Sequence, residues 1–197
     1  MEKTLGQYEA VMDKCRQVFE EKMTDYGTSW RVLRLPSLTD QIFIKAQRIR
    51  SIQEKGTMAV KEGVKPEFIG IVNYAVMALI QIHLKPSATG EALAPVKAMQ
   101  LYDRFFQEAM ELMQAKNTDY SEAWRDMRIG SLTDIILMKL FRVKQIEDNS
   151  GKTIASEGID ASYYDIINYG VFALIKLAEQ TEEPPLTEST VNSNHTK

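Results

Sequence analysis

The sequence predicts an all-α protein made of two tandem pseudo-repeats of about three helices each, packed as an intrachain helical bundle. Three observations carry that expectation. Apolar residues recur at helical spacing, no segment shows the sustained alternation of a half-buried strand, and the second half of the chain repeats the first. A shift of 94 positions lays KMTDYGTSWRVLRLPSLTDQIFIKAQRI (22–49) over KNTDYSEAWRDMRIGSLTDIILMKLFRV (116–143). After a one-residue insertion near Ser150, EGVKPEFIGIVNYAVMALI (62–80) lies over EGIDASYYDIINYGVFALI (157–175). The expected organisation is a first helical repeat over 1–84, a linker over 85–98, a second repeat over 99–178 and a disordered tail over 179–197. The linker carries Pro, Gly and Ala; the tail loses apolar periodicity and gains Pro, Ser, Thr and Asn.

Each repeat reads as three helices in order. The first spans about 6–25 and about 99–119, with an apolar stripe through Tyr8, Val11, Met12, Cys15, Val18 and Phe19. An aromatic and polar connector follows, DYGTSWRVLRLP or DYSEAWRDMRIG. The second helix is expected to start at Ser37 or Ser131, where Ser-Leu-Thr-Asp spacing makes Asp40 and Asp134 capping-box acids. It runs to about Gln53 or Glu147, and Lys55-Gly56 and Ser150-Gly151 break it. The third helix spans about 66–83 and 161–178. Neither copy buries its apolar faces well alone, so the two should pack on each other.

Composition narrows the function. Hydrophobic residues make up 44% and charged residues 26%, which suits a globular chain with a real core. The balance of 24 Lys+Arg against 27 Asp+Glu, net −3, argues against generic nucleic-acid binding. Cys15 is the single cysteine and His83 and His195 the two histidines, so any metal falls to carboxylates, which favours magnesium or manganese. Cys15 itself reads as a small core residue. The N-terminus has no signal pattern and no apolar run is read as reaching bilayer length, so a cytoplasmic location is expected.

The second helix carries the feature that most needs explaining. DIILMKLFRV (134–143) is apolar nearly all round, yet Lys139 shares a stripe with Ile136, Leu140 and Val143. Lys45 stands likewise among Ile42, Ala46 and Ile49, with Arg48 and Arg142 three residues on. A lysine there needs an anion. Two readings stay open: a buried ion pair with a neighbouring helix, or a Lys–Arg pair lining a cleft and holding phosphate oxygens. The third helix carries Asp165 and Asn168 on one face; the first copy has Gly70 and Asn73 there. Gly70 leaves Lys45 without the partner that Asp165 offers Lys139, which points to one working site and one altered site. Asn73 and Asn168 read either as inter-helix fasteners or as ligand contacts. In the connectors, Lys22, Asp25, Tyr26, Trp30, Arg31 and Arg34 repeat as Lys116, Asp119, Tyr120, Trp124, Arg125 and Arg128. These read either as a base-and-phosphate clasp or as a packing corner. Glu62 and Glu157 precede the third helices, where the helix dipole favours an acid and a metal over the cleft would be in reach.

The order Lys-x-x-Asp-Tyr-Gly at 22–27, Lys-x-x-Arg at 45–48 and 139–142, and Glu157 followed by Asp165-Ile-Ile-Asn168-Tyr169 resembles the nucleotide modification associated domain 1 family, here in tandem. That pattern is in turn similar to the MazG-like all-α nucleoside triphosphate pyrophosphohydrolases. The resemblance implies a helical nucleotide-binding protein of modified or non-standard nucleotide metabolism. Extended to the pyrophosphohydrolases, it implies Mg²⁺ held by Asp165, Glu157, Glu108 and Glu111, with Asp165 and Glu157 catalytic. Lys139 and Arg142 would then hold phosphate. Glu108-x-x-Glu111 has the paired-acid spacing only in the second copy; the first has Lys14 and Gln17. The competing class is a non-catalytic helical interaction protein fastened by buried ion pairs, and pairing of two chains into a homodimer is compatible with either.

Overall fold

The computed structural model describes residues 2–56, 63–87, 91–152 and 158–182. Six α-helices run through them: α1 (Glu2–Tyr26), α2 (Leu35–Lys55), α3 (Lys65–Leu84), α4 (Pro95–Tyr120), α5 (Ile129–Asp148) and α6 (Ile159–Glu182). Short 3-10 turns at Ser29–Val32 and Ala123–Asp126 form the connectors, and no strand occurs among the described residues. The all-α, two-copy architecture is therefore present. The expected tail lies outside the described residues from 183 onward, while α6 itself continues past 179 to Glu182. α4 begins at Pro95, inside the stretch read as linker.

The helices form three symmetric pairs. α3 and α6 pack on each other at the centre, α2 and α5 pair on one side, and α1 and α4 on the other. α3 is central because it is apolar all round, with Phe68, Ile71, Val72, Ala75, Val76 and Ile80 fully buried. By length and composition this 20-residue helix is apolar enough to cross a membrane, which the sequence reading missed; most of it is buried inside the protein. Cys15 is buried as expected, and burial pushes its thiol up to about 12, leaving it an inert core group.

Two crossed hydrogen-bond sets lock the halves. The Tyr8 hydroxyl donates to Asn168 Oδ1 at 2.7 Å, and the Tyr102 hydroxyl donates to Asn73 Oδ1 at 2.7 Å. Each amide then donates to a backbone carbonyl of its own half, Asn73 to Cys15 at 3.1 Å and Asn168 to Ala109 at 3.0 Å. A buried amide with both ends satisfied specifies one packing arrangement. Both asparagines fasten the two halves, and Asn168 also lines a cavity beside the second connector.

The second helices correct one expectation. They start at Leu35 and Ile129, two residues before Ser37 and Ser131, and neither start has a side-chain cap hydrogen bond. In α2 a proline sits in the first turn, where its missing N–H costs nothing, so the chain enters the helix before the serine. Asp40 and Asp134 consequently stand inside the helix and reach across the molecule: Lys144 pairs with Asp40, and Arg50 approaches Asp134 at 3.8 Å. The breaks fall as expected, with α2 ending on Gly56 in the left-handed region at φ 63°.

Candidate functional site

The inward lysines take different partners in the two halves. In the second, Asp165 on α6 stands between two ammonium groups: Lys116 Nζ from α4 at 2.6 Å on Oδ1, and Lys139 Nζ from α5 at 2.6 Å on Oδ2. Asp165 and Lys139 are largely buried, their side chains 14% and 17% exposed, whereas Lys116 is 49% exposed. Burial alone would raise the Asp165 pKa. The two lysine hydrogen bonds and charges outweigh it and hold the carboxyl below its ordinary value. The cluster carries one positive charge in excess.

In the first half Gly70 occupies the place of Asp165, and the sequence reading left Lys45 with no acid. The structure supplies one a helical turn earlier. Glu67, 7% exposed, pairs with Lys45 at 3.2 Å and with Arg48. A Cβ added at Gly70 would lie 2.7 Å from Lys45 Cε and 2.8 Å from Cδ, so the lysine stem crosses the space an aspartate would need. Acid and small residue have changed places along the helix: Glu67 and Gly70 in one copy, Ser162 and Asp165 in the other.

A cavity of about 410 Å³ lies beside the connector in each half, and most of the residues that line one have their counterparts lining the other. The first is walled by Phe19, Met23, Trp30, Tyr74 and Met77, with Lys22 at its edge and no acid. The second has Met113, Trp124, Tyr169 and Phe172 as its apolar wall, and adds Lys116, Asn117, Lys139 and Asp165. Lys116 and Asp165 also line an adjoining cavity of about 530 Å³ with Glu108, Asp160 and Tyr164. The second half thus joins an aromatic chamber to a polar one across a Lys–Asp–Lys ridge.

Several residues read as ligand contacts have other employment. Arg125 is wrapped by Glu122, Glu179, Thr4 and Gln7, fixing the connector to α1 and α6. Trp124 stacks on Phe172 with centroids 4.2 Å apart, and the Arg125 guanidinium lies 4.4 Å from its ring, so the indole is a plug rather than an open stacking face. Arg128 and Asp119 are exposed and line neither cavity, and Tyr120 is the last residue of α4. Both tryptophan Nε1 atoms are buried without a hydrogen-bond partner. Arg142 is half-buried with no ion pair among the described residues.

Among the described residues, the proposed metal ligands Asp165, Glu108 and Glu111 do not converge. Asp165 already lies between two lysines, and Glu108 accepts from Tyr164 and, at 2.8 Å, from Arg104. Glu111 sits on the exposed face with Gln107 donating to it at 3.2 Å. Glu157 lies outside the described residues, and among those described no three His, Cys, Asp or Glu side chains come together as a metal site. The donor set present does not fit a carboxylate-held Mg²⁺, because lysine ammonium groups hold the places a cation would take.

Comparison with protein families matches nucleotide modification associated domain 1 to residues 22–82 and again to 116–177. The chain belongs to that family. The two domain copies together cover more than half of the chain and coincide with the two halves of the fold. No curated protein and no solved structure gives a match. Both cavities of the nucleotide modification associated domain copies are built almost wholly from matched residues, and Lys116, Lys139 and Asp165 all fall inside the second match. Glu67 was the residue the sequence reading missed. Its signal was present: an acid three residues before the glycine, on the same helix face.

Proposed function

We propose that the second half binds a nucleotide, with the flat, largely apolar base in the aromatic chamber and the phosphates at Lys116 and Lys139. The observation that carries this reading is the net-positive Lys116–Asp165–Lys139 cluster on the wall of a cavity of about 410 Å³. That volume falls in the range of small-molecule sites. A ligand with one apolar plane and several negative charges matches both parts, and the family description supports a nucleotide. Lys116 is the mobile member: half exposed on a long stem, it can swing from Asp165 to a phosphate while Lys139 keeps the carboxylate neutralised.

Binding is better supported than hydrolysis. A general base useful near neutrality needs a pKa near 7, and Asp165 is pushed the other way. The first half favours a second, purely structural role for its own charges, since Glu67 engages both Lys45 and Arg48 and no acid lines its cavity.

The test is a panel of nucleoside mono-, di- and triphosphates, with and without Mg²⁺, read by melting temperature and by pyrophosphate release. A ligand at a hundredfold its Kd stabilises by about 2.7 kcal/mol. For a chain of this size that amounts to roughly 5–10 °C. Lys139→Met should remove the shift. No shift with any member would overturn the binding reading; metal-dependent release of pyrophosphate would show that hydrolysis accompanies it.

A further inference from the structure

The two halves also differ where the first helix of each copy meets the ends of the central pair. In the second half that place is full. Phe105 on α4 packs edge-on against His83 near the end of α3, centroids 5.8 Å apart, and the Arg104 guanidinium lies 5.1 Å from the same ring. Tyr164 on α6 joins them through Glu108, which accepts from its hydroxyl and from Arg104. At the positions of Phe105, His83, Arg104 and Tyr164 the first half has Val11, Ala178, Ala10 and Ile69. Three rings and a guanidinium give way to short aliphatic groups. A mostly apolar cavity of about 250 Å³ is left between α1, the start of α3 and the end of α6. The charge at its edge is inverted as well. Exposed Lys14 and Lys65 line it where the second half has Glu108 and Asp160. Lys14 donates only to Gln17 Oε1, at 3.2 Å, and Lys65 has no partner among the described residues. Glu179 on the same wall is already engaged by Gln7 at 2.8 Å and Arg125 at 3.2 Å.

We propose that this cavity binds a small aromatic carboxylate, its single ring taking the room of Phe105 and Tyr164 and its anion meeting Lys14 and Lys65. The second copy is the template, because it fills the same place with rings and closes it with the Glu108 carboxylate. Apolar walls with a few placed charges are the usual make-up of a small-molecule site. An apolar cavity of about 150 Å³ is enough for benzene. The volume present therefore suits one ring with a short acidic arm. Burial of the ring supplies most of the affinity, since solvent screens exposed lysines; their part is to select an anion over a neutral or cationic analogue. The cavity shares no lining residue with the Lys116–Asp165–Lys139 chamber, so the inference stands apart from the nucleotide reading.

The measurement is calorimetric titration of the full chain with phenylacetate, with phenylacetamide and hexanoate as controls. A ligand of about ten heavy atoms should bind wild type with a Kd on the order of 0.1–1 mM. Phenylacetamide, which lacks the charge, and hexanoate, which lacks the ring, should each bind about threefold or more weakly. The variant Lys14→Glu with Lys65→Asp takes the charges of the second half and should weaken phenylacetate by roughly tenfold or more. Val11→Phe with Ile69→Tyr installs the rings of the second half and should abolish binding by filling the cavity. If that variant does not fold, the titration of the charge-reversed variant, altered only at exposed side chains, still decides. No binding to wild type at about 10 mM would overturn the inference. So would phenylacetate binding that stays within twofold of wild type in either folded variant. Equal affinity for phenylacetamide or for hexanoate would overturn it too, because the site would then select neither charge nor ring.

Discussion

The two halves share a backbone plan and differ in where they keep their negative charge. The first closes its Lys–Arg pair with Glu67, inside the fold and away from the cavity beside its own connector. The second moves the acid one turn along to Asp165, at the wall of a chamber, and leaves Arg142 and Ser162 unmatched. Within one chain, the same helix register serves as a fastening in one place and as an open electrostatic site in the other. The difference is one acid–small-residue exchange over a single helical turn.

The contrast can be broken most sharply by removing each acid. Glu67→Ala leaves Lys45 and Arg48 without a counter-charge in a mostly buried seam and should cost about 3 kcal/mol in urea unfolding. Asp165→Asn should cost less, about 2 kcal/mol, because half-exposed Lys116 can relax to solvent. Equal losses would mean the halves are not electrostatically distinct. The pH profile adds a signature. Asp165 ionises more readily folded than unfolded, so its stabilisation is complete above the unfolded value near pH 4. It fades as the pH falls through the lower folded value, and Asp165→Asn should flatten that acid limb.

A graft sharpens the comparison. The double variant Glu67→Ser with Gly70→Asp rebuilds the second-half arrangement in the first. The incoming Cβ crowds only the flexible end of Lys45, which can turn to the new carboxylate. It should recover more than half of the stability lost in Glu67→Ser alone, measured by the same unfolding curves. Where the halves agree, the effects should agree too. Tyr8→Phe and Tyr102→Phe each leave a buried amide oxygen unsatisfied and should each cost about 1–2 kcal/mol. The smallest effect lies at the end of the first helices, where Gly27 at φ 62° is matched by Ser121 at φ 49°. Ser121→Gly should gain about 1 kcal/mol by relieving a left-handed serine.

Much of this was legible in the chain. The repeat, the three-helix unit and the inward lysines follow from spacing, and the buried asparagines are readable as fasteners because a polar amide on an apolar face must be bonded. What escaped was geometry between helices. Aligning the copies puts Gly70 opposite Asp165, which hides Glu67 because a partner shifted by one turn has no matching column. Asp40 was misread, and the two readings of Arg125 stayed open, for a related reason: their partners, Lys144 for Asp40 and Thr4 and Gln7 for Arg125, lie in the other half, more than a hundred residues away. In α2 a proline in the first turn settles the start before a serine can cap.

The crossed Tyr–Asn bonds have a consequence for how the chain can exist at all. Each amide is completed by a phenol from the other copy, so a polypeptide severed between the copies would give two fragments with a solvent-starved oxygen apiece. Covalent tethering turns their meeting into a unimolecular event, set by an effective concentration that dilution does not lower. The protein should therefore unfold in a single transition whose midpoint is the same at nanomolar and at millimolar chain.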